Sequence, residues 1–176
     1  MIEETILVDI IGDCVSQMRV KGISSDTSSN INYDAGSFIQ IIDKLNTFDE
    51  SITLKSKKYP LVALRTRMRE KRGLGFYAKT IIDKIVISTI SNDTDDVLQR
   101  YSVNGTFKKI LYPCYYEFMF RLAQSPKIIG SDPDAFIHIK MDSPGVQPLT
   151  LGGTDFIDSI EIIGLEIILN QIKNCN

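Results

Sequence analysis

Pro60-Leu61-Val62-Ala63-Leu64-Arg65, a charged link, and then Ile81-Ile82-Asp83-Lys84-Ile85-Val86-Ile87-Ser88-Thr89-Ile90 form the stretch on which the fold turns. The first run is short, apolar and entered through a proline, which suits the first residue of a strand because proline donates no ladder hydrogen bond. The second, from Phe76 to Ile90, is too rich in Ile and Val for a good exposed helix and reads as a strand. The two are expected to pair. Between them, residues 65–75 hold Arg65, Arg67, Arg69, Lys71 and Arg72 together with Gly73 and Gly75, which reads as a protruding basic connection. Beyond Ile90, Ser91-Asn92-Asp93-Thr94-Asp95-Asp96 offers the backbone side-chain hydrogen bonds in place of ladder bonds and should end the strand.

Working outward, Ile6, Leu7, Ile10, Ile11, Cys14, Val15 and Met18 recur at steps of three and four, one face of an amphipathic helix. Residues 21–32 are polar and poor in apolar groups, a linker or an exposed loop. Tyr33 to Ile42 reads as an edge strand or a short helix plus a loop. On the other side, Phe107, Ile110, Leu111, Cys114, Tyr115, Phe118, Met119 and Leu122 restore helical spacing. Pro113 lies inside that pattern and implies a kink or two helical pieces meeting there. Residues 125–156 read as an irregular arm with a short strand at Phe136 to Lys140, and Ile157 to Ile172 as a long final strand with Gly164 as a bulge. Helices that do not alternate regularly with strands imply an α+β domain over 1–176, its mainly antiparallel sheet flanked on one face by two principal helices, with extended loops or arms.

The chain has 176 residues, 43% of them hydrophobic, enough for one substantial core. A formal net charge of -2 excludes the global basic bias of a nucleic-acid binder. Charge is instead local: residues 55–79 carry nine Lys and Arg against Glu70, 9 - 1 = +8, leaving 11 - 21 = -10 elsewhere. No apolar run approaches the roughly 20 residues of a membrane span, and the acidic start Met1-Ile2-Glu3-Glu4 is unlike a signal peptide. The expectation is a soluble protein with no membrane partner. Cys14, Cys114 and Cys175 have no metal spacing, and the first two read as small core hydrophobes.

Lys57-Lys58-Tyr59-Pro60-Leu61-Val62-Ala63-Leu64, the charged connection, the strand to Ile90, Arg100 and Phe107-Lys108-Lys109-Ile110-Leu111-Tyr112-Pro113-Cys114-Tyr115 together resemble a pattern of tailed-phage neck proteins. These are the head-tail connector and tail-terminator-like ring proteins, including those of crAss-like phages, and the likeness is concentrated in residues 57–123. The resemblance implies a virion protein: a homo-oligomeric ring of about six or twelve copies, assembled in the host cytoplasm and stacked between portal and tail, next to other neck and tail rings. DNA would pass through its lumen without sequence-specific contacts. The excursion from Gly130 to Thr154 is longer than a compact terminator needs, so connector, adaptor and terminator stay open.

Lys57, Lys58, Arg65, Arg67, Arg69, Lys71 and Arg72 are the candidate subunit-interface or DNA-facing residues. Arg65, Arg67 and Arg69 would share one face if the strand ran on. A solvated hairpin tip is the plain alternative. Docking on an acidic patch of a neighbour is favoured over gripping DNA, since no aromatic stacking platform accompanies the basic residues except Phe76 and Tyr77. A small nucleic-acid-binding module built on residues 55–79 remains the other reading. Tyr112, Tyr116 and Phe120, spaced four apart, make an aromatic contact stripe if they lie away from the core. Asp93, Asp95 and Asp96 lack the glycine and distal glutamate of a calcium loop and read as a turn with a helix N-cap. His138 is the single histidine, so it has no partner for a zinc site and reads as a strand residue. No Gly-x-Ser-x-Gly elbow or phosphate-binding loop is present, and no catalytic residue, metal or cofactor is assigned.

Overall fold

The computed structural model describes residues 4–37, 39–41, 59–72, 78–91, 96–129, 134, 136–146 and 157–169. In chain order these form α1 (Glu4–Ser16), β1 (Asn32–Gly36), β2 (Leu61–Arg72), β3 (Ala78–Ile90) and α2 (Val97–Arg100). A π-helical turn over Phe107–Leu111 then runs into α3 (Tyr112–Gln124), followed by β4 (Ile139–Val146) and β5 (Ile157–Ile168). The sheet order is β1-β2-β3-β5-β4, with β1 parallel to β2 and the remaining pairs antiparallel. The protein is therefore α+β, as its pattern of elements implies.

The helices cover one sheet face because their apolar stripes have no other place to go. α1 buries Leu7, Ile10, Ile11, Cys14 and Val15, and α3 buries Cys114, Tyr115, Phe118, Met119 and Leu122. They meet Val62, Leu64, Ile82, Ile85, Ile87, Ile160 and Ile162 in one core. Burial pushes the Cys14 thiol up to about 11 and the Cys114 thiol up to about 12, which suits inert core residues. Pro113 falls at the first turn of α3, where its missing N–H interrupts least; the N–H of Tyr112 bonds back to Phe107 across the π turn. Two helical pieces thus meet at the proline.

A single interruption crosses three strands. β3 buries Ile85 and Ile87 and then Ile82 and Thr80; β5 buries Ile160 and Ile162 and then Leu165 and Ile167. A strand with unbroken alternation would not switch parity in this way. Ile82 stands opposite Leu165 and Ile85 opposite Ile162, so both strands switch at the same level. Gly164 supplies a φ of 67° there, a backbone state that other L-residues resist. On β2, Thr66 and Arg67 fall between Arg65, opposite Lys84, and Met68, opposite Ile82, which is a bulge.

Several expectations change. The basic residues from Arg65 to Arg72 are not a connection but the far half of β2, because each finds a backbone partner on β3 once the bulge is passed. β4 begins at Ile139 rather than Phe136 and continues through Pro144, which an edge strand tolerates because its outer N–H groups need no ladder partner. Part of the irregular arm is therefore sheet. Residues 21–31 form a loop folded back on itself, since the Ser24 hydroxyl donates to Ser29 O at 2.5 Å and accepts from Val20 N–H at 3.0 Å, and Asn30 Nδ2 donates to Ile23 O at 2.9 Å. Most of its residues are exposed. Lys57, Lys58, Gly73 to Tyr77, Asp93, Asp95, Cys175 and the arm over 130–133 and 147–156 lie outside the described residues.

Candidate functional site

The sheet face opposite the helices carries charge in pairs. Arg65 Nη1 lies 3.3 Å and Arg69 Nη2 3.9 Å from the Asp83 carboxylate, Lys84 Nζ donates to Glu161 at 2.5 Å, and Lys79 Nζ donates to Glu166 at 2.6 Å. The hydrogen bond from Lys79 holds the Glu166 carboxyl below its ordinary value of 4.5, against the opposing effect of burial; the charges of Lys79 and, more weakly, Lys71 add to it. Much of the described basic segment is thus matched by acids brought from β3 and β5. Arg67 and Lys71 are exposed and make no ion pair with a described residue; the side chain of Arg72 lies outside the description. The three arginines do not act as one stripe, because the bulge at Thr66 and Arg67 separates them and Asp83 gathers Arg65 and Arg69. A second small cluster of Ile41, Leu61 and Ala63, joined by Tyr59 and Val86, covers one part of this face. Ile139 and Met141 on β4 and Ile137 just before it stay exposed.

On the helical side, the proposed aromatic stripe divides. Tyr116 is 65% and Phe120 43% exposed, whereas Tyr112 is half-buried and donates to Asp142 Oδ2 at 2.7 Å. Lys140 Nζ completes that cluster, 2.6 Å from Asp142 Oδ1 and 4.6 Å above the Tyr112 ring. Burial and the Asp142 hydrogen bond raise the Tyr112 phenol well above its ordinary value. Tyr112 therefore fastens α3 to β4 instead of standing out beside Tyr116 and Phe120. Tyr116 and Phe120 instead share a shallow groove with Arg19, Val20, Lys21 and Pro113.

His138 sits just ahead of β4 rather than within it. Its Nδ1 lies 2.8 Å from Phe136 O, a contact only an N–H can make favourably, so Nε2 accepts the Tyr115 hydroxyl at 2.6 Å. Nε2 thus ties the strand start to α3, while Nδ1 fixes the ring on its own segment. Asp96 accepts from Leu98 N–H at 2.8 Å and caps α2, as expected of it. Among the described residues no cluster of His, Cys, Asp and Glu can hold a metal ion, and no helix is long and apolar enough to cross a membrane.

Sequence reasoning missed the most enclosed polar group among the described residues. Asp158 on β5 is 0% exposed, accepts from Arg100 Nη1 at 3.0 Å and takes the Thr106 hydroxyl on its other oxygen; Arg100 is 4% exposed. Gly105 makes the turn between them possible, since a Cβ there would lie 2.2 Å from Arg100 O. Tyr101 stacks on Phe107 alongside, ring centroids 4.3 Å apart. One signal was available: Asp158 shares strand parity with the buried Ile160 and Ile162, so a charge was due on the core face. Its partner Arg100, 58 positions away, had none.

No family model, curated protein or solved structure matches the chain.

Proposed function

We propose that this chain is a structural subunit of a homo-oligomeric ring at a phage head-tail junction, a connector, adaptor or tail terminator enclosing the DNA exit channel, and that it works by contact rather than chemistry. The observation that carries this reading is the set of large apolar side chains that the fold leaves on the outside. Tyr116 and Phe120 stand on α3, Ile139 and Met141 on the edge strand β4, and Leu98 and Val103 around α2. Exposed apolar groups fixed in place cost free energy in water and fit a surface awaiting a partner. The resemblance in residues 57–123 supplies the phage context, with portal or neighbouring neck rings as further partners.

The nucleic-acid-binding module is the weaker reading. Arg65, Arg69 and Lys79 have carboxylates of their own at 2.6 to 3.9 Å, which leaves fewer cations for phosphate. Mass photometry and negative-stain imaging of the purified chain test the choice. Rings of uniform diameter are expected, and Arg67→Glu with Arg69→Glu is expected to weaken them. A chain that stays monomeric and binds DNA with a steep salt dependence would overturn the ring.

A further inference from the structure

The two edges of the sheet meet solvent differently. At β1, Asn32 N–H bonds to Pro60 O at 2.8 Å, so by alternation the N–H of Ala35 points away from β2, where the Asp34 carboxylate accepts it at 3.0 Å. A charged side chain laid on its own backbone closes that edge to an added strand. β4 is built the other way. Ile137, Ile139 and Met141 alternate on the open face, 64%, 65% and 44% exposed, while His138, Lys140 and Asp142 turn to Tyr115 and Tyr112 on α3. Ile137 O accepts Glu166 N–H at 2.9 Å, so the odd-numbered residues spend their backbone groups on β5 and those of Lys140 and Asp142 point outward. Those outer groups have no backbone partner among the described residues. The Lys140 side chain is only 29% exposed although the residue as a whole is exposed, so its backbone meets solvent. Nor does Lys140 guard the edge, since its ammonium is folded back on Asp142 and the Tyr112 ring.

We infer that β4 of one copy pairs antiparallel with β4 of a second copy about a two-fold axis at Met141, so that two five-stranded sheets become one. Charge selects both the occupant and the register. With Met141 on the axis, Lys140 of each copy stands opposite Asp142 of the other. Both residues have outward backbone groups, so each such pair can exchange its two hydrogen bonds, and the side chains bring opposite charges together across the contact. Centring the axis on Lys140 or on Asp142 sets like charges opposite each other. Centring it on Ile139 leaves Asp142 unanswered, and a shift the other way meets Pro144, which has no N–H to give. On the open face the favoured register gathers Ile139 and Met141 of both copies into one apolar patch beside Ile163 of β5 and removes it from water. A surface that is its own complement makes an isologous contact, complete at two copies. The contact is separate from the lateral contact of a ring: it joins two copies, and two rings where those form.

Met141→Cys and Ile139→Cys, each in the full chain with Cys175→Ser, test the register. Oxidised with copper phenanthroline, Met141→Cys should give a disulfide-linked dimer, because residues on the axis form a non-hydrogen-bonded pair with Cα atoms about 4.5 Å apart. Ile139→Cys should cross-link about tenfold less, since its two copies lie roughly 13 Å apart along the strands. Lys140→Glu and Asp142→Lys test the charges by sedimentation velocity. Each alone should run as a 19.8 kDa monomer, because like charges meet across the axis. Mixed one to one they should form dimers, because each altered residue then meets its opposite in the other copy. Within either variant positions 140 and 142 carry the same sign, so only a contact between copies can produce that rescue. The cysteine pair decides the matter by itself if a charge variant fails to fold. Equal cross-linking at 139 and 141, or no rescue on mixing folded variants, overturns the contact. Rings that form without a cross-link in Met141→Cys overturn it and leave the ring reading standing; cross-linked dimers that never build into rings do the reverse. A wild-type chain that is monomeric at every concentration overturns both and leaves the β4 edge to a strand of another protein.

Discussion

Arg100 with Asp158 and Lys79 with Glu166 bring the same kinds of charge together, at 3.0 and 2.6 Å, yet they stand in opposite surroundings. The first pair lies under α2 with almost no exposure; the second lies on the open face, its side chains 35% and 23% exposed. The longer contact is the one the fold depends on. Removing two charges from water is costly, so once buried they need each other, whereas water and salt share the work at the open face. Distance alone therefore ranks these pairs in the wrong order. The enclosed pair fixes where α2 presents its apolar tips, and the open pairs set the charge pattern of the far half of the sheet.

The comparison breaks most readily at Asp158. Asp158→Ala leaves the Arg100 guanidinium enclosed without its carboxylate, and urea unfolding should show a loss of about 3–5 kcal/mol. Arg100→Leu with Asp158→Leu together should recover most of it; a double variant as unstable as the single would mean that packing, not charge, carries the cost. The level where the strands switch parity comes next. Gly164→Ala meets nothing within 4 Å but must hold a φ of 67°, so a loss of about 1–2 kcal/mol is expected from backbone conformation alone. Gly164→Asn should lose less in the same thermal melts, and equal losses would point away from φ.

The smallest effect is at the open face. The Glu166 carboxyl is held below 4.5 in the folded state, so the pair's contribution is present above that value and fades as pH falls through the folded pKa. Between neutral pH and the acid range, wild type should lose slightly more stability than Glu166→Gln. At high salt the two curves should converge. Parallel curves at low salt would remove the open-face pair from the account of stability.

Much of the fold was legible because periodicity records which side of an element is wet. The spacing of Leu7 to Val15 and of Phe107 to Leu122 marked both helices, and the Val and Ile runs marked β2, β3 and β5. Composition misled where partners, not intrinsic preference, decide. Arg65 to Arg72 looks like a loop because it is charged, but β3 supplies its ladder and Asp83 answers two of its arginines. Ser143-Pro144-Gly145 looks like a turn but continues β4, because an outer strand tolerates what an inner one does not. Of the candidate contact residues, Tyr116 and Phe120 do face outward, while Tyr112 was claimed by Asp142 from a distant strand.

By itself the sequence determined the α+β class, the two helices and their buried stripes, and the interruptions at Pro113 and Gly164, all local consequences of side-chain shape and backbone freedom. Only the tertiary structure decided which charges are answered and which aromatics stay outside. Ion pairing and burial depend on distances between residues such as Arg100 and Asp158 or Arg19 and Tyr116, and no local pattern encodes a separation that the fold alone closes.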